Sequence, residues 1–590
     1  MKKEDILATA RKRFSVLQAE SSENRDDALE DIKFTYNIDD AQWSEPERTK
    51  RIKAKRPYLT HNKIRKFVAQ VANRERDQRL SQKVKPIDDK SDPIVADILT
   101  GYIHNIEYQS KADVIYTRAS EQSLAGGFGY WRILTKYAHD SFDQEIQIKH
   151  IENPFSVYLH PSGTYGFIRE AMTVEDFKTE YPDAEVSDFD AQSIGEEYTA
   201  WFEEDKVFIA EYFYKEPIEK TIAQVVMQGD LDGQPEIIEL KDGITPEMLM
   251  AEGYQILKQR KVKCHTVKWC KITGSDIIEG WEKGKVRDWV GEEIPIIEVK
   301  GDEVNVAGKI IKRSLIRDGK DPQRMYNYWL SSMTEKVALS PKAPYIVTPE
   351  MIKGFETMWD EANEANYPYL LTHPTPQGFP QRQVPPPIDT GAMAMLNIGE
   401  KDIQDTLGMY DSSFGERSNE RTGKAIIARS SRSDMGTYHF VDNLRRAIQD
   451  TARQLIDIIP KIVDTQRLLR IRDYEGAEAI VEVNKTIIDP TTGEVIILND
   501  LSVGKYDVEA DIKIWSTRRE ESVEGMREAM QYAPMIAPII AKYYFKYADF
   551  PGAKELEDEI NGFMKQQQQN VQTDQAIQAG AGVPENNGGA

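Results

Sequence analysis

Residues 341–390 hold ten of the chain's 28 prolines, and this segment with its flanks constrains the fold more than any other feature. Proline fixes φ and lacks an N–H, so a run this dense can be neither helix interior nor central strand. It is expected to be loop or edge strand, with room for a short helix over 348–365. It also carries Tyr345, Phe355, Trp359, Tyr367, Tyr369 and Phe379, which supply large contact area. Helical patterns stand on both sides. Asp321 and Pro322 make a helix start, Met325, Trp329 and Met333 line one stripe, and Pro341 ends the helix. A second helix is expected over 389–409. Beyond the polar loop DSSFGERSNERTG comes a long helix, 422–459. Phe440, Leu444, Ala447, Thr451, Leu455 and Ile458 form its stripe, Gly436 is the candidate bend, and Pro460 its end. This order suits an elongated subunit repeated around an axis better than a compact enzyme.

The rest of the chain reads as a mixed α+β body. Residues 1–50 and 62–77 are helical in pattern, the latter with Ile64, Phe67, Val68 and Val71 at spacings of three and four and Asn62 as cap. A short strand follows at 79–88, then one long helix over 92–124. The stretch GGFGYWRILTKY alternates as a strand and pairs with EIQIKHI. Residues 206–300 are strand-rich, with separate strands expected at KVFIAEYFY, TIAQVVM, KVKCHTVKWCKITG and IPIIEVK. Strands return at 467–515 around the turn at Pro490–Gly493, helices at 518–565, and 566–590 is low-complexity and expected to be disordered.

No run of about 18 apolar residues occurs, so no membrane span is expected. The opening MKKEDILATARKRF has no apolar core, so no secretory signal is expected. No catalytic set emerges. Gly415–Lys424 is a poor phosphate loop, because its glycines are too far apart and Ala425 stands where a magnesium-holding hydroxyl belongs. Gly126, Gly127 and Gly129 precede a strand and read as a turn. Cys264 and Cys270 on one strand would lie about 20 Å apart at ~3.3 Å per residue, so they share neither an ion nor a disulfide. The histidines make no zinc-protease pair and no nucleophile elbow occurs. No catalytic residue, metal site or cofactor is expected.

The chain's net charge is −22, which argues against coating nucleic acid with the whole surface. Against it, residues 417–432 are net +4, with Arg417, Arg421, Lys424, Arg429 and Arg432 opposed only by Glu420. Alone, such a run is a solvated face or an intersubunit ion-pair set; in a ring of copies it becomes a ring of charge around a hole. A second basic stretch, 51–66, with Arg51, Lys53, Lys55, Arg56, Lys63, Arg65 and Lys66, reads as a surface helix with lysine stems over apolar neighbours.

Four segments then carry a family likeness: RPYLTHNKIRKFVAQVANRERDQR (56–79), NIEYQSKADVIYTRASEQSLAGGFGYWRI (105–133), SFDQEIQIKHIENPFSVYLHP (141–161), and the block from IPIIEVKG to ERTGKAIIARSSRSD (294–434). Through them the chain resembles the portal proteins of short-tailed, double-stranded DNA bacteriophages. The resemblance implies an α+β portal fold with long helices, assembled as a dodecameric ring and divided into wing, stem, clip and crown. By that resemblance 1–313 is wing, with 206–300 its strand-rich part. Residues 314–340 and 389–409 are the stem helices, 341–388 the clip, and 410–424 the channel loop. The long helix is 422–464, wing or crown strands are 465–517, crown helices 518–565, and the tail 566–590. The ring would sit at one capsid vertex, pass DNA inward under a terminase motor, and later release it. Implied partners are further copies of the chain, the terminase large subunit, the major capsid protein, scaffolding protein, a head-completion adaptor, and double-stranded DNA without sequence preference. Arg417, Arg421, Lys424, Arg429 and Arg432 become candidate channel residues. Tyr345, Trp359, Tyr367 and Phe379 become candidates for docking or for packing within the clip itself. Another ring-forming virion protein, an adaptor or tail component, is the alternative.

Overall fold

The computed structural model describes residues 2–77, 81–88, 91–138, 141–184, 206–227, 236–240, 246–251, 253–339, 345–362, 367–376, 378–382, 390–409, 434–472, 478–488, 495–511, 516–532, 540–541 and 544. Helix α1 (Lys3–Tyr36) opens the chain and ends at Asn37 in the left-handed conformation. Helix α2 (Glu45–Lys53) and helix α3 (Ile64–Asp77) follow, with 54–63 between them not helical. The single helix expected over 92–124 is two, α4 (Pro93–Ser110) and α5 (Ala112–Gly126). They break at Lys111, which takes a left-handed φ of 53° and so reverses the chain without a glycine. Asp92 caps α4 by accepting from the Ile94 N–H at 2.8 Å.

Strand Phe128–Tyr137 pairs antiparallel with Gln144–His150 on one side and Ile296–Lys300 on the other. Gly129 lies here because a β-carbon would stand 2.0 Å from the Ala119 carbonyl oxygen of α5. An eight-stranded sheet is built around the strands Lys206–Met227 and Tyr254–Ile272. The sequence pattern predicts two strands in place of the first, split by 215–220; it runs unbroken through Pro217. The Lys215 N–H points to the Thr164 carbonyl at 2.8 Å, so position 217, two residues on, aims its backbone nitrogen to the same side. There the partner strands Tyr165–Thr173 and Glu236–Leu240 leave a gap between residues 214 and 221, so among the described residues no paired strand needs the missing N–H. A buried ion pair joins the two sheets. Arg132 donates to both Glu211 oxygens at 2.8 and 2.7 Å, and Trp269 adds a third hydrogen bond at 3.0 Å. Burial raises the Glu211 carboxyl, but the charge and hydrogen bonds of Arg132, with the Trp269 hydrogen bond and the Lys271 charge, together hold it below its usual range.

Helix α6 (Lys320–Leu339), preceded by a 3-10 turn at Arg317–Gly319, packs against helix α7 (Thr390–Leu407). Gly399 of α7 faces Tyr326 of α6, and a β-carbon there would make only ordinary contact with it, at 3.7 Å. Helix α8 (Tyr438–Ile462) follows a 3-10 turn, Asp434–Thr437, that contains Gly436. Its apolar stripe, Phe440, Leu444, Ala447, Leu455 and Ile458, is buried. Thr451, in the same stripe, accepts from the Trp131 indole N–H at 2.9 Å, which satisfies both groups. Among the described residues the helix expected over 422–459 is α-helical only from Tyr438, after the 3-10 turn, and it continues through Pro460 to Ile462, three residues beyond the expected 459. The main core gathers α4, α5 and α8 against the three-stranded sheet and against Leu469, Val483, Leu501 and Val508 from the late strands. Strand Ser81–Pro86 pairs antiparallel with Tyr506–Asp511, so early and late parts of the chain share one body. Helix Ser516–Tyr532 is described; most of 533–590, including the tail reading at 566–590, lies outside the described residues.

Candidate functional site

The base of the α6–α7 pair is where the sequence-singled elements meet. Phe34 of α1, Ile64, Phe67, Val68 and Val71 of α3, Tyr326 of α6, Ile403 and Leu407 of α7, and Phe440 of α8 form one buried cluster. The stripe expected on α6 is not the buried one, since Met325 is 53% exposed. The buried face instead carries Gln323, Asn327 and Ser331, each fully out of solvent. These side chains, four residues apart, take the backbone N–H groups of Lys63, His61 and Leu59 at 3.1, 3.0 and 2.8 Å. Gln323 returns a bond to the His61 carbonyl at 2.9 Å, and Asn327 donates to Gln42 at 3.2 Å. An extended segment thus runs antiparallel to α6, its alternate residues read as a strand would be.

That segment belongs to the second basic stretch, so the surface-helix reading of 51–66 holds only at its ends, where Lys53, Arg65 and Lys66 are exposed on α2 and α3, and fails over 54–63, which is not helical. Arg51 is 5% exposed; it donates to the Pro57 carbonyl at 3.1 Å and to Ser332 at 2.9 Å, and its guanidinium lies 4.7 Å from the Tyr328 ring centroid. Arg56 pairs with Glu335 of α6 at 3.2 Å and Lys63 with Glu400 of α7 at 2.8 Å. These cations fasten the α6–α7 pair to the body.

A second fastening comes from α1. Asp27, Glu30 and Asp31 share one helix face, and opposite them stand Arg317, Lys320 and Arg324. Arg317 bonds Asp27 at 2.6 Å and Asp31 at 2.8 Å, Lys320 bonds both Asp31 and Glu30, and Ser314 donates to Asp31 at 2.6 Å. Asp31 has no exposed surface. Burial pushes the Glu30 carboxyl up, yet the hydrogen bonds and charges of Lys320 and Arg324 hold it below its usual value. Burial lowers Arg317, and Asp31 and Asp27 more than restore it.

The chain leaves α7 at Gly408, φ +66°, and re-enters at Gly436, where an added β-carbon would lie 3.0 Å from the Gly408 carbonyl oxygen. The ends of 410–433 therefore meet at the base. Arg417, Arg421, Lys424, Arg429 and Arg432, with the weak phosphate-loop pattern at 415–424 and the channel-loop range 410–424, lie outside the described residues.

The proline-rich insert closes on itself. Its ends pair antiparallel, Tyr345 with Arg382 and Ile346 with Gln381. The single helix expected inside it is two short ones, Pro349–Ile352 and Glu356–Asp360, because Gly354 at φ +83° turns the chain between them. Tyr345 and Trp359 meet edge to face at 5.2 Å, the Trp359 indole donates to the Leu371 carbonyl at 2.8 Å, and Tyr367 donates to Glu361 at 2.6 Å. Phe379 is different: it is 78% exposed, with Tyr369 at 70% beside it in the same insert.

Among the described residues at this base, Arg51, Arg56, Lys63, Arg317 and Lys320 each face a carboxylate. Cys270 is buried and its thiol is pushed up to about 12 by burial, while Cys264 is half-buried on the same strand. Among the described residues no group of three or more His, Cys, Asp or Glu could hold a metal ion, and no helix is long and apolar enough to cross a membrane. Body, helix pair and self-closed insert are the parts that the described residues make, with Gly408 and Gly436 meeting at the base. The chain belongs to the Phage P22-like portal protein family, whose model matches residues 11–587. It is also 24% identical over 502 residues to a "Portal protein" of Acyrthosiphon pisum secondary endosymbiont phage 1, covering 80% of this chain and 67% of that one. It is therefore a bacteriophage portal protein, a non-catalytic viral structural protein of DNA packaging and ejection, and not an adaptor or tail component.

Proposed function

We propose that copies of this chain close into a ring, of twelve by the family likeness, at one capsid vertex. Duplex DNA passes through its centre, driven inward by a terminase. In this reading 1–313 with 465–517 forms wing and part of the crown, 314–340 and 389–409 the stem, 341–388 the clip, and 518–565 the crown helices. The loop 410–424, with α8 behind it, faces the channel. The observation that carries the reading is the meeting of Gly408 and Gly436 at the stem base. It makes 410–433 an excursion from one fixed point, beside two helices locked to the body by Arg51, Lys63 and the Asp31 cluster.

A channel must not hold what it passes, because each phosphate neutralised adds salt-dependent affinity. A lining acidic overall with a narrow basic band keeps DNA centred without gripping it. Arg417, Arg421 and Lys424 form that band, with Arg429 and Arg432 bordering it, and they meet backbone rather than bases. In the clip, Tyr345, Trp359 and Tyr367 hold the module's shape, while Phe379 offers its ring to a docking partner, terminase or head-completion adaptor. Scaffolding and major capsid proteins meet the wing. Alanine at 417, 421 and 424 together tests the channel assignment. Lower packaging yield or leakage of packaged DNA is expected; unchanged yield and retention overturn it.

A further inference from the structure

The three-stranded sheet ends at the strand Ile296–Lys300, which pairs with Phe128–Tyr137 on one side only. The Ile133 N–H bonds the Pro295 carbonyl, and the Ile151 N–H bonds the Tyr130 carbonyl. Odd-numbered residues of the middle strand therefore bond this edge strand, and even-numbered ones bond Gln144–His150. In that register Ile297 and Val299 give their backbone groups to the sheet, while Ile296, Glu298 and Lys300 turn theirs outward. The Ile296 N–H is taken by the Ile294 carbonyl at 2.8 Å, and the Lys300 carbonyl by Asn443 of α8 at 3.2 Å. The Ile296 carbonyl, both backbone groups of Glu298 and the Lys300 N–H have no partner among the described residues.

That open edge is the floor of a groove of about 1220 Å³. One wall is the polar side of α8; the other is α1, Leu159 and the hairpin of Asp302–Val306 with Lys309–Arg313. Two side-chain atoms on the α8 side also lack a partner among the described residues. They are Gln454 Oε1 and, behind Gly291, Trp289 Nε1, which lies 2.9 Å from where a β-carbon on Gly291 would be. Sheet edges are commonly covered or blunted; this one keeps its donors and acceptors between two walls, as the addition of a strand from another chain requires. The lining sets the chemistry of that strand. It carries seven carboxylates against four cations, and Glu20 and Glu292, both exposed, make no ion pair among the described residues. Such a lining repels nucleic acid. Ile297 packs into the core under α8 and Ile296 into the cluster with Ala28 of α1 and Leu159, and an added strand alternates likewise. One row of its side chains would meet Leu17, Leu159 and Ile310, the other Asp450, Asp457 and Glu292. We infer that the groove binds an extended segment of another virion protein, one in which apolar and basic residues alternate, joined to Ile296–Lys300 by main-chain hydrogen bonds. It takes from the family assignment only that the partner is a virion protein, and its failure leaves that assignment and the channel reading untouched.

The probe is the end-blocked peptide KVKVKVKVK, added to the full-length protein and read by calorimetry and by hydrogen exchange over 294–301. One peptide per chain is expected, with exchange at Glu298 and Lys300 slowed about tenfold or more. The analogue EVEVEVEVE is expected not to bind. Methylating every valine nitrogen or every lysine nitrogen blocks opposite edges of the added strand, so only one of the two should abolish binding. The variant E20K/E292K is expected to bind about tenfold more weakly, and D97K/E282K, two exposed charges outside the groove, to bind as wild type does. Unslowed exchange over 294–301, equal binding of the acidic analogue, equal effects of the two methylations or an unchanged affinity in E20K/E292K overturns the inference. A changed number of chains per particle in E20K/E292K without peptide overturns it as well, and assigns the groove to a second copy of this chain.

Discussion

Glu75 on α3 is 6% exposed, accepts from Ser120 of α5, and has one oxygen with no partner among the described residues. Burial, only partly opposed by Ser120 and reinforced by Glu121, pushes its carboxyl up to about 8. Glu107 on α4 is pushed up to about 7 by burial, against a 2.9 Å hydrogen bond from Tyr116. An unfolded glutamate titrates near ~4.3, so the folded protein holds these protons longer than the unfolded chain does. Their contribution to stability is therefore present at low pH and falls as pH rises through the window from about 4.5 to about 8. Glu75→Gln should abolish part of that fall. Melting temperatures of variant and wild type should coincide near pH 4.5 and separate toward pH 8 in the variant's favour; a gap independent of pH contradicts the assignment. Asp31→Ala leaves Arg317 and Lys320 beside α1 without their central partner, and the loss expected in denaturant unfolding is about 3–5 kcal/mol. A loss under about 1 kcal/mol would show that the cluster holds nothing.

The α6 face makes an element-scale prediction that hydrophobicity would reverse. Asn327→Leu adds an apolar residue to a buried site, yet strands the His61 N–H and the Gln42 side chain, at about 1–3 kcal/mol for each group left unpaired. Met325→Leu, on the exposed side of the same helix, should stay within about 0.5 kcal/mol. Comparable unfolding midpoints for the two variants would contradict the ladder. The same helix explains what the sequence could and could not disclose. Its start was legible to within two residues from Asp321 and Pro322, but its inward side was not. The periodicity that marks a core face counts apolar residues, and here the face is Gln323, Asn327 and Ser331, matched to a backbone far away in sequence. On α8 the inward side is apolar, and Phe440, Leu444, Ala447, Leu455 and Ile458 are legible from their spacing alone. Where pattern misled, one backbone event was responsible: Lys111 in a left-handed turn inside a helical run, Gly354 inside the insert, and Pro217 lying opposite a gap in the sheet. In the candidate site the insert's aromatics were legible as contact area; which of them spend that area internally was decided by partners such as the Leu371 carbonyl and Glu361.

At the scale of the whole molecule, early and late segments are tied by the pairing of Ser81–Pro86 with Tyr506–Asp511, and the middle of the chain is carried outward from that body as a helix pair. The charged anchors at the helix base, with Asp31 and Arg51 buried, resist a pull or twist on α6 and α7, a load that a translocating duplex would exert. The insert at the far end is self-closed through Tyr345 and Arg382, so it can dock without the body reordering. In the proposed reading these features serve many copies around a common axis. A cryo-electron microscopy map of the assembled protein tests this most directly. The account predicts a hollow ring with residues 410–424 on the wall of the hole and 341–388 projecting from one end. A particle with no through-hole, or with that insert enclosed by the wing, would contradict it.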